Sequence, residues 1–152
     1  MNRNRSMVWF FLYFLLILGG IGCKKVEMES LLGETFEIEK EYERGPIIFR
    51  LQVNQKEVTI AERIRLNLEV RAKEEYEVKL PEFGEKLEQF GIVDYSAQAP
   101  QLVEDGVVLS GRYYELEPFL SGEYKIPPLK VVFWKEGEEQ KHIVESEELT
   151  IQ

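Results

Sequence analysis

Three of the residue types most used in catalysis and metal binding are almost missing from this chain of 152 residues. It has one Cys (Cys23), one His (His142) and two Asp (Asp94 and Asp105). A single Cys rules out any intrachain disulfide, whatever the redox conditions. A lone His leaves neither a Cys/His pair nor a Ser/His/Asp arrangement to assemble, and no zinc spacing is present. Basic charge is also scarce: 19 Lys and Arg stand against 28 Asp and Glu, a formal net charge of -9 and a pI near 4.8. The electrostatic footprint of a nucleic-acid binder is therefore missing. No phosphate-cradling glycine loop appears. Glu104-Asp105-Gly106 is too sparse for a calcium loop, which needs closely spaced Asp and Asn. Glu115, Glu117 and Glu123 could converge as the two acids of a glycosidase do, but Glu is so frequent here that such spacings arise by chance. The inventory points to a non-catalytic protein with no cofactor and no metal.

What is present begins at the N-terminus. Arg3 and Arg5 precede an unbroken apolar run from Met7 to Leu18, which ends in Gly19-Gly20-Ile21-Gly22 and then Cys23. The run is shorter than the roughly 20 residues that a spanning helix needs. A positive start, a short apolar stretch and small residues at its end form the pattern of an export signal. Removing residues 1–22 takes away two Arg and no acid, so the net charge moves from -9 to -11. Gly20-Ile21-Gly22-Cys23 resembles the bacterial lipoprotein box, although that box usually has Leu where this chain has Gly20. The resemblance implies that Cys23 is lipidated, carries palmitate and becomes the new N-terminus. The alternative is an incidental Cys beside an uncleaved anchor. Lys24, and not Asp, follows Cys23, which leans toward the outer membrane. Residues 23–45 are acidic, with seven Glu, and read as a tether of roughly 25 Å mean span. Within them, Phe36 to Glu43 alternates large and charged residues as an edge strand does.

From residue 46 the period-two signal dominates. Ile47, Phe49, Leu51 and Val53 share one face. Ile64, Leu66, Leu68 and Val70 alternate with Arg65, Asn67, Glu69 and Arg71. Shorter alternations cover 76–80, 92–95, 107–117, 129–133 and 142–151, with turn signals between them, and Phe83 to Phe90 is predicted to hold one or two helical turns. About seven or eight short strands with almost no helix must bury one face against a second sheet. The fold class is therefore all-β, an immunoglobulin-like antiparallel sandwich over residues 46–152. A domain of about 105 residues can remove roughly 60–70% of its unfolded surface from water, enough for one core without disulfides.

Gly122-Glu123-Tyr124-Lys125-Ile126-Pro127 fits the corner of such a sandwich, where a Tyr hydroxyl ties back to the backbone. Ile126 would then fill the place of a disulfide Cys; the alternative is a Tyr simply half-buried in a sheet. Arg112, Tyr113, Tyr114 and Trp134 form the candidate interaction surface. Adjacent Tyr113 and Tyr114 must point to opposite faces, so one ring meets solvent, and exposed aromatics often anchor interfaces. The more frequent fate of such rings is packing in a core or rim.

The stretch from Tyr114-Glu-Leu116-Glu-Pro118 through Gly122-Glu-Tyr124-Lys-Ile126-Pro127-Pro128 to Val131 resembles the signature of the BatD family, the oxygen-tolerance proteins. Glu62 to Leu66 leading to Val78-Lys79-Leu80-Pro81 is similar to that family's first immunoglobulin-like module. The family's proteins are generally longer, with several modules and a C-terminal membrane helix, whereas this chain holds one module. The resemblance implies an exported, non-enzymatic module near membrane-bound partners, typically von Willebrand A-type proteins, in oxygen or stress tolerance. The expected protein is thus anchored through Cys23 in a bacterial cell envelope, facing the periplasm or the exterior, and docks to another envelope protein but not to nucleic acid. The alternative is a sandwich that binds carbohydrate or a small ligand, which needs Tyr95, Tyr113, Tyr114 and Trp134 on one platform.

Overall fold

Burial follows the sequence alternation residue by residue. In the strand Ile64–Lys73, Ile64, Leu66, Leu68, Val70 and Ala72 are buried while Arg65, Asn67, Glu69 and Arg71 between them are half-exposed. Period-two spacing puts alternate side chains on opposite faces of a strand, so this pattern turns one face inward. The computed structural model describes residues 35–104 and 106–152, so the segment read as an export signal and Cys23 lie outside the described residues.

The described residues form eleven strands: β1 (Ile38–Arg44), β2 (Ile47–Val53), β3 (Ile64–Lys73), β4 (Tyr76–Lys79), β5 (Lys86–Leu87), β6 (Phe90–Glu104), β7 (Val107–Pro118), β8 (Tyr124–Ile126), β9 (Lys130–Lys135), β10 (His142–Glu145) and β11 (Leu149–Ile151). The larger sheet has the order β1-β2-β3-β7-β6-β5. The opposing layer contains β10-β9-β4 and the pair β11-β8, and all pairing is antiparallel. The grouping β2-β3-β7-β6 against β4-β9-β10 is that of the immunoglobulin sandwich, where ABED faces CFG.

The count exceeds the seven or eight strands expected because two of the strands are broken and the short β5 adds another. Pro127 and Pro128 have no N–H to give to a ladder, so β8 stops at Ile126 and β9 starts at Lys130. Opposite them the chain breaks between β10 and β11. The gap is closed by Ser146, which is buried: its Oγ accepts from the Leu129 N–H at 2.9 Å and donates to the Glu147 carbonyl at 3.1 Å, and its own N–H donates to the Leu129 carbonyl at 2.9 Å.

Two further expectations differ from what is observed. No helical turn forms between Phe83 and Phe90. Lys86–Leu87 makes the short β5 against Phe90 and Gly91, and Glu88 takes a left-handed φ of 50° to close that hairpin. The strand expected at 92–95 is instead the long β6, which pairs with β7 as far as Glu104.

The core joins both layers. Phe49, Leu51, Leu66, Leu68 and Leu116 from the larger sheet meet Ile126, Leu129, Val131, Phe133 and Ile151 from the other. At one margin β1 leans toward β10, where the Arg44 guanidinium donates to the Ile143 carbonyl. Arg50 on β2 pairs with both Glu39 and Glu41 on β1, at 3.3 and 3.1 Å.

Candidate interaction surface

The β3–β7 register fixes which side of the sheet each candidate side chain takes. Tyr114 stands opposite Leu66 and Arg112 opposite Leu68, both on the inner face, whereas Tyr113 stands opposite Asn67 on the outer face. Tyr114 is buried to 1% exposure, and its hydroxyl donates to the Pro81 carbonyl at 3.1 Å. Arg112 reaches the same carbonyl from Nη1 at 3.3 Å, touches the Tyr114 hydroxyl at 3.4 Å, and bridges Glu82 from Nη2 at 3.0 Å. Burial alone would lower this guanidinium's pKa. The hydrogen bonds and charge it shares with Tyr114 and Glu82 outweigh that and raise it above its ordinary value, so the group stays cationic. Its Nε is buried with no hydrogen-bond partner among the described residues.

Around this cation lie Phe83, with its ring centre 4.8 Å from that of Tyr114, and Tyr95 on β6, stacked on Tyr114 at 6.4 Å. Glu82, Phe83, Tyr95, Arg112 and Tyr114 line a notch of about 210 Å³. It is a small, partly aromatic recess with one cation at its base, neutralised by Glu82, and it suits side-chain anchoring better than enclosure of a ligand.

Trp134 lies elsewhere. It is on β9 opposite Glu77 in the second layer, half-exposed, with Lys141 Nζ 5.1 Å above its ring. The structure thus brings Arg112 and Tyr114 together and separates both from Tyr113 and Trp134. Tyr95, Tyr113, Tyr114 and Trp134 share no platform.

At the corner, Tyr124 and Ile126 are buried, Pro127 is half-buried, and Gly122 takes a φ of 145° that favours glycine. The Tyr124 ring packs on Phe90 at 5.1 Å, but its hydroxyl is buried with no partner among the described residues. The tie from a tyrosine hydroxyl to backbone that was expected of Tyr124 is made instead by Tyr114.

Three other chemical candidates have structural partners. Glu115 and Glu117 both face Arg63, at 3.6 and 3.7 Å. His142 lies against Phe133 with ring centres 5.4 Å apart. Among the described residues no group of three or more His, Cys, Asp or Glu is placed to hold a metal ion.

Sequence reasoning missed Phe83, Glu82 and the extent of β6. Only the fold brings the loop before β5 against β7, and no local pattern announces it. For β6 a signal did exist: between Val93 and Val103 only Asp94 is charged, in a chain that is 31% charged.

Among protein families, the model of the BatD DUF11-like domain matches residues 51–152, from within β2 to the end of the chain. No curated protein matches the chain.

Proposed function

The chain belongs to the BatD family, and from that premise we propose that it is a non-catalytic, lipid-anchored protein of a bacterial cell envelope whose sandwich docks onto another envelope protein. The observation that carries this reading is the family match over the folded module. It joins a module type found beside membrane-bound partners to a chain whose only Cys ends an apolar run. In this account Cys23 carries the lipid and the acidic stretch after it holds the sandwich clear of the headgroups. The module then meets a partner, with von Willebrand A-type proteins as the class the family points to and oxygen or stress tolerance as the setting.

The spread of the aromatic rings favours docking over sugar binding. A sugar platform needs several exposed rings side by side, and here Tyr114 is buried while Tyr113 and Trp134 lie on different sheets. The notch at Arg112, Phe83 and Tyr95 is the natural anchor point, since interface energy concentrates where aromatic and Arg side chains meet in a small recess.

Metabolic labelling with a palmitate analogue tests the anchoring half of the proposal. Label is expected on the wild-type chain and not on Cys23→Ala, which should move from the membrane to the soluble fraction. Cross-linking in intact membranes tests the docking half. A discrete adduct with an envelope protein is expected, weakened by Tyr95→Ala and Arg112→Ala; cross-linking unaffected by either change would remove the notch from the account.

A further inference from the structure

The two edges of the larger sheet are guarded very differently. On β1, Glu39, Lys40, Glu41, Glu43 and Arg44 put charge along the outer strand, the usual protection against unwanted pairing. Among the described residues nothing pairs with the outer edge of β6 for most of its length, because β5 covers only Phe90 and Gly91, and the Ile92 N–H is taken by the Glu85 carbonyl at 2.9 Å. Beyond that, residues 93 to 102 are exposed, and Asp94 is the one charge among them. Tyr95 is 67% exposed and Leu102 66%.

We propose that β6 is a self-association edge, pairing antiparallel with β6 of a second copy about a two-fold axis at Ser96. Two independent boundaries centre on that residue. The free edge runs from Val93, just past the hairpin contact, to Ala99, just before Pro100, which has no N–H to donate. The stretch that pairs regularly with β7, between its irregularities, runs from Asp94 to Gln98. Both windows have Ser96 in the middle.

The same axis makes the edge self-complementary. Tyr95 falls opposite Ala97 of the second copy, large against small, and Val93 falls opposite Ala99. Asp94 falls opposite neutral Gln98 and not opposite its own equivalent, so no like charges meet across the ladder. A two-fold contact must satisfy this condition, because each patch meets itself. The Asp94 carboxylate now accepts the Tyr95 N–H at 2.8 Å, a local cap that a pairing strand would replace. The sheet order also leaves the charged β1 strands at the two far edges of the joined sheet, where mutual repulsion is weakest. A second copy is therefore the occupant favoured for a nearly uncharged edge on an otherwise acidic chain. The inference does not depend on lipidation or on the docking role.

The test uses the full chain in detergent, with Cys23→Ser removing the native thiol, and a single new thiol from Ser96→Cys. Directly opposed residues on antiparallel strands have Cα atoms about 4.5–5.5 Å apart, within the span of a disulfide. Mild oxidation is expected to give a disulfide-linked dimer. Glu41→Cys on β1, in the same background, is expected to stay monomeric, which controls for association through the apolar N-terminal run. Adding Ala97→Lys to Ser96→Cys sets a charge at the heart of the ladder and should cut the dimer yield roughly tenfold or more. Circular dichroism, expected to be unchanged, verifies that each variant folds. The proposal is overturned if Ser96→Cys cross-links no better than Glu41→Cys, or if Ala97→Lys leaves the yield unchanged. Cross-linking of Ser96→Cys in membranes to a different envelope protein, in place of itself, would also overturn it and assign the edge to a partner's strand.

Discussion

Tyr114 and Tyr124 are both buried, yet their hydroxyls meet opposite fates. The first donates to the Pro81 carbonyl and receives Arg112, and the second has no partner among the described residues. Removing a satisfied buried hydroxyl costs a hydrogen bond and strands the group it served, whereas removing an unsatisfied one relieves a desolvation penalty. Tyr114→Phe is therefore expected to destabilise the fold by about 1–2 kcal/mol in chemical denaturation, while Tyr124→Phe should leave it unchanged or slightly more stable. A larger loss at Tyr124 than at Tyr114 would restore the corner role to Tyr124. Leu68 in the centre of β3, fully buried in the core, is expected to cost about 2–5 kcal/mol when cut to Ala.

At the scale of elements, the strands that could be read from the sequence are those with one face wet and the other dry. β2 and β3 alternate because each contributes to one wall of the core. β6 does not alternate, since residues 94 to 102 are exposed on both faces, so no period-two pattern could reveal its length. The region before it was misread for a different reason. Phe83, Leu87 and Phe90 sit at i, i+4 and i+7, the spacing of a helix face, but they reach the core from a loop and two short strand ends. The β8–β9 break was legible in Pro127-Pro128, while the matching break between β10 and β11 depends on Ser146, whose role only the fold discloses. Ser146→Ala leaves the Leu129 N–H without its side-chain acceptor and is expected to cost about 1–3 kcal/mol.

Two edge elements carry predictions of their own. Because β1 is tied to β10 through Arg44, Arg44→Ala should speed amide exchange along Ile38–Arg44 and leave β3 and β7 protected. In the loop before β3, the Thr59 N–H donates to the Glu62 carboxylate at 2.8 Å, and hydrogen bonds from Thr59 lower the pKa of that exposed acid below its ordinary 4.5. A lowered carboxylate pKa favours the ordered loop above the ordinary value, and that support fades as the pH falls through the lowered one. Exchange at the Thr59 amide, corrected for intrinsic rate, should thus become less protected in acid. Glu62→Gln should flatten the dependence.

For the whole molecule, a sandwich with a nearly uncharged edge, a charged guarded edge and an acidic lead-in from Cys23 suits the tethered docking module proposed above. The sequence made the sandwich and the candidate attachment point legible. It could not separate Arg112 and Tyr114 from Tyr113 and Trp134, because that division comes from the register of β3 against β7. The measurement that bears most directly on the docking role is affinity purification from solubilised membranes, comparing the wild-type chain with Cys23→Ala by quantitative mass spectrometry. The account predicts one envelope protein strongly enriched with the wild type and recovered less with Cys23→Ala, which keeps the sandwich but loses the membrane. Failure of both forms to enrich any envelope protein would contradict it.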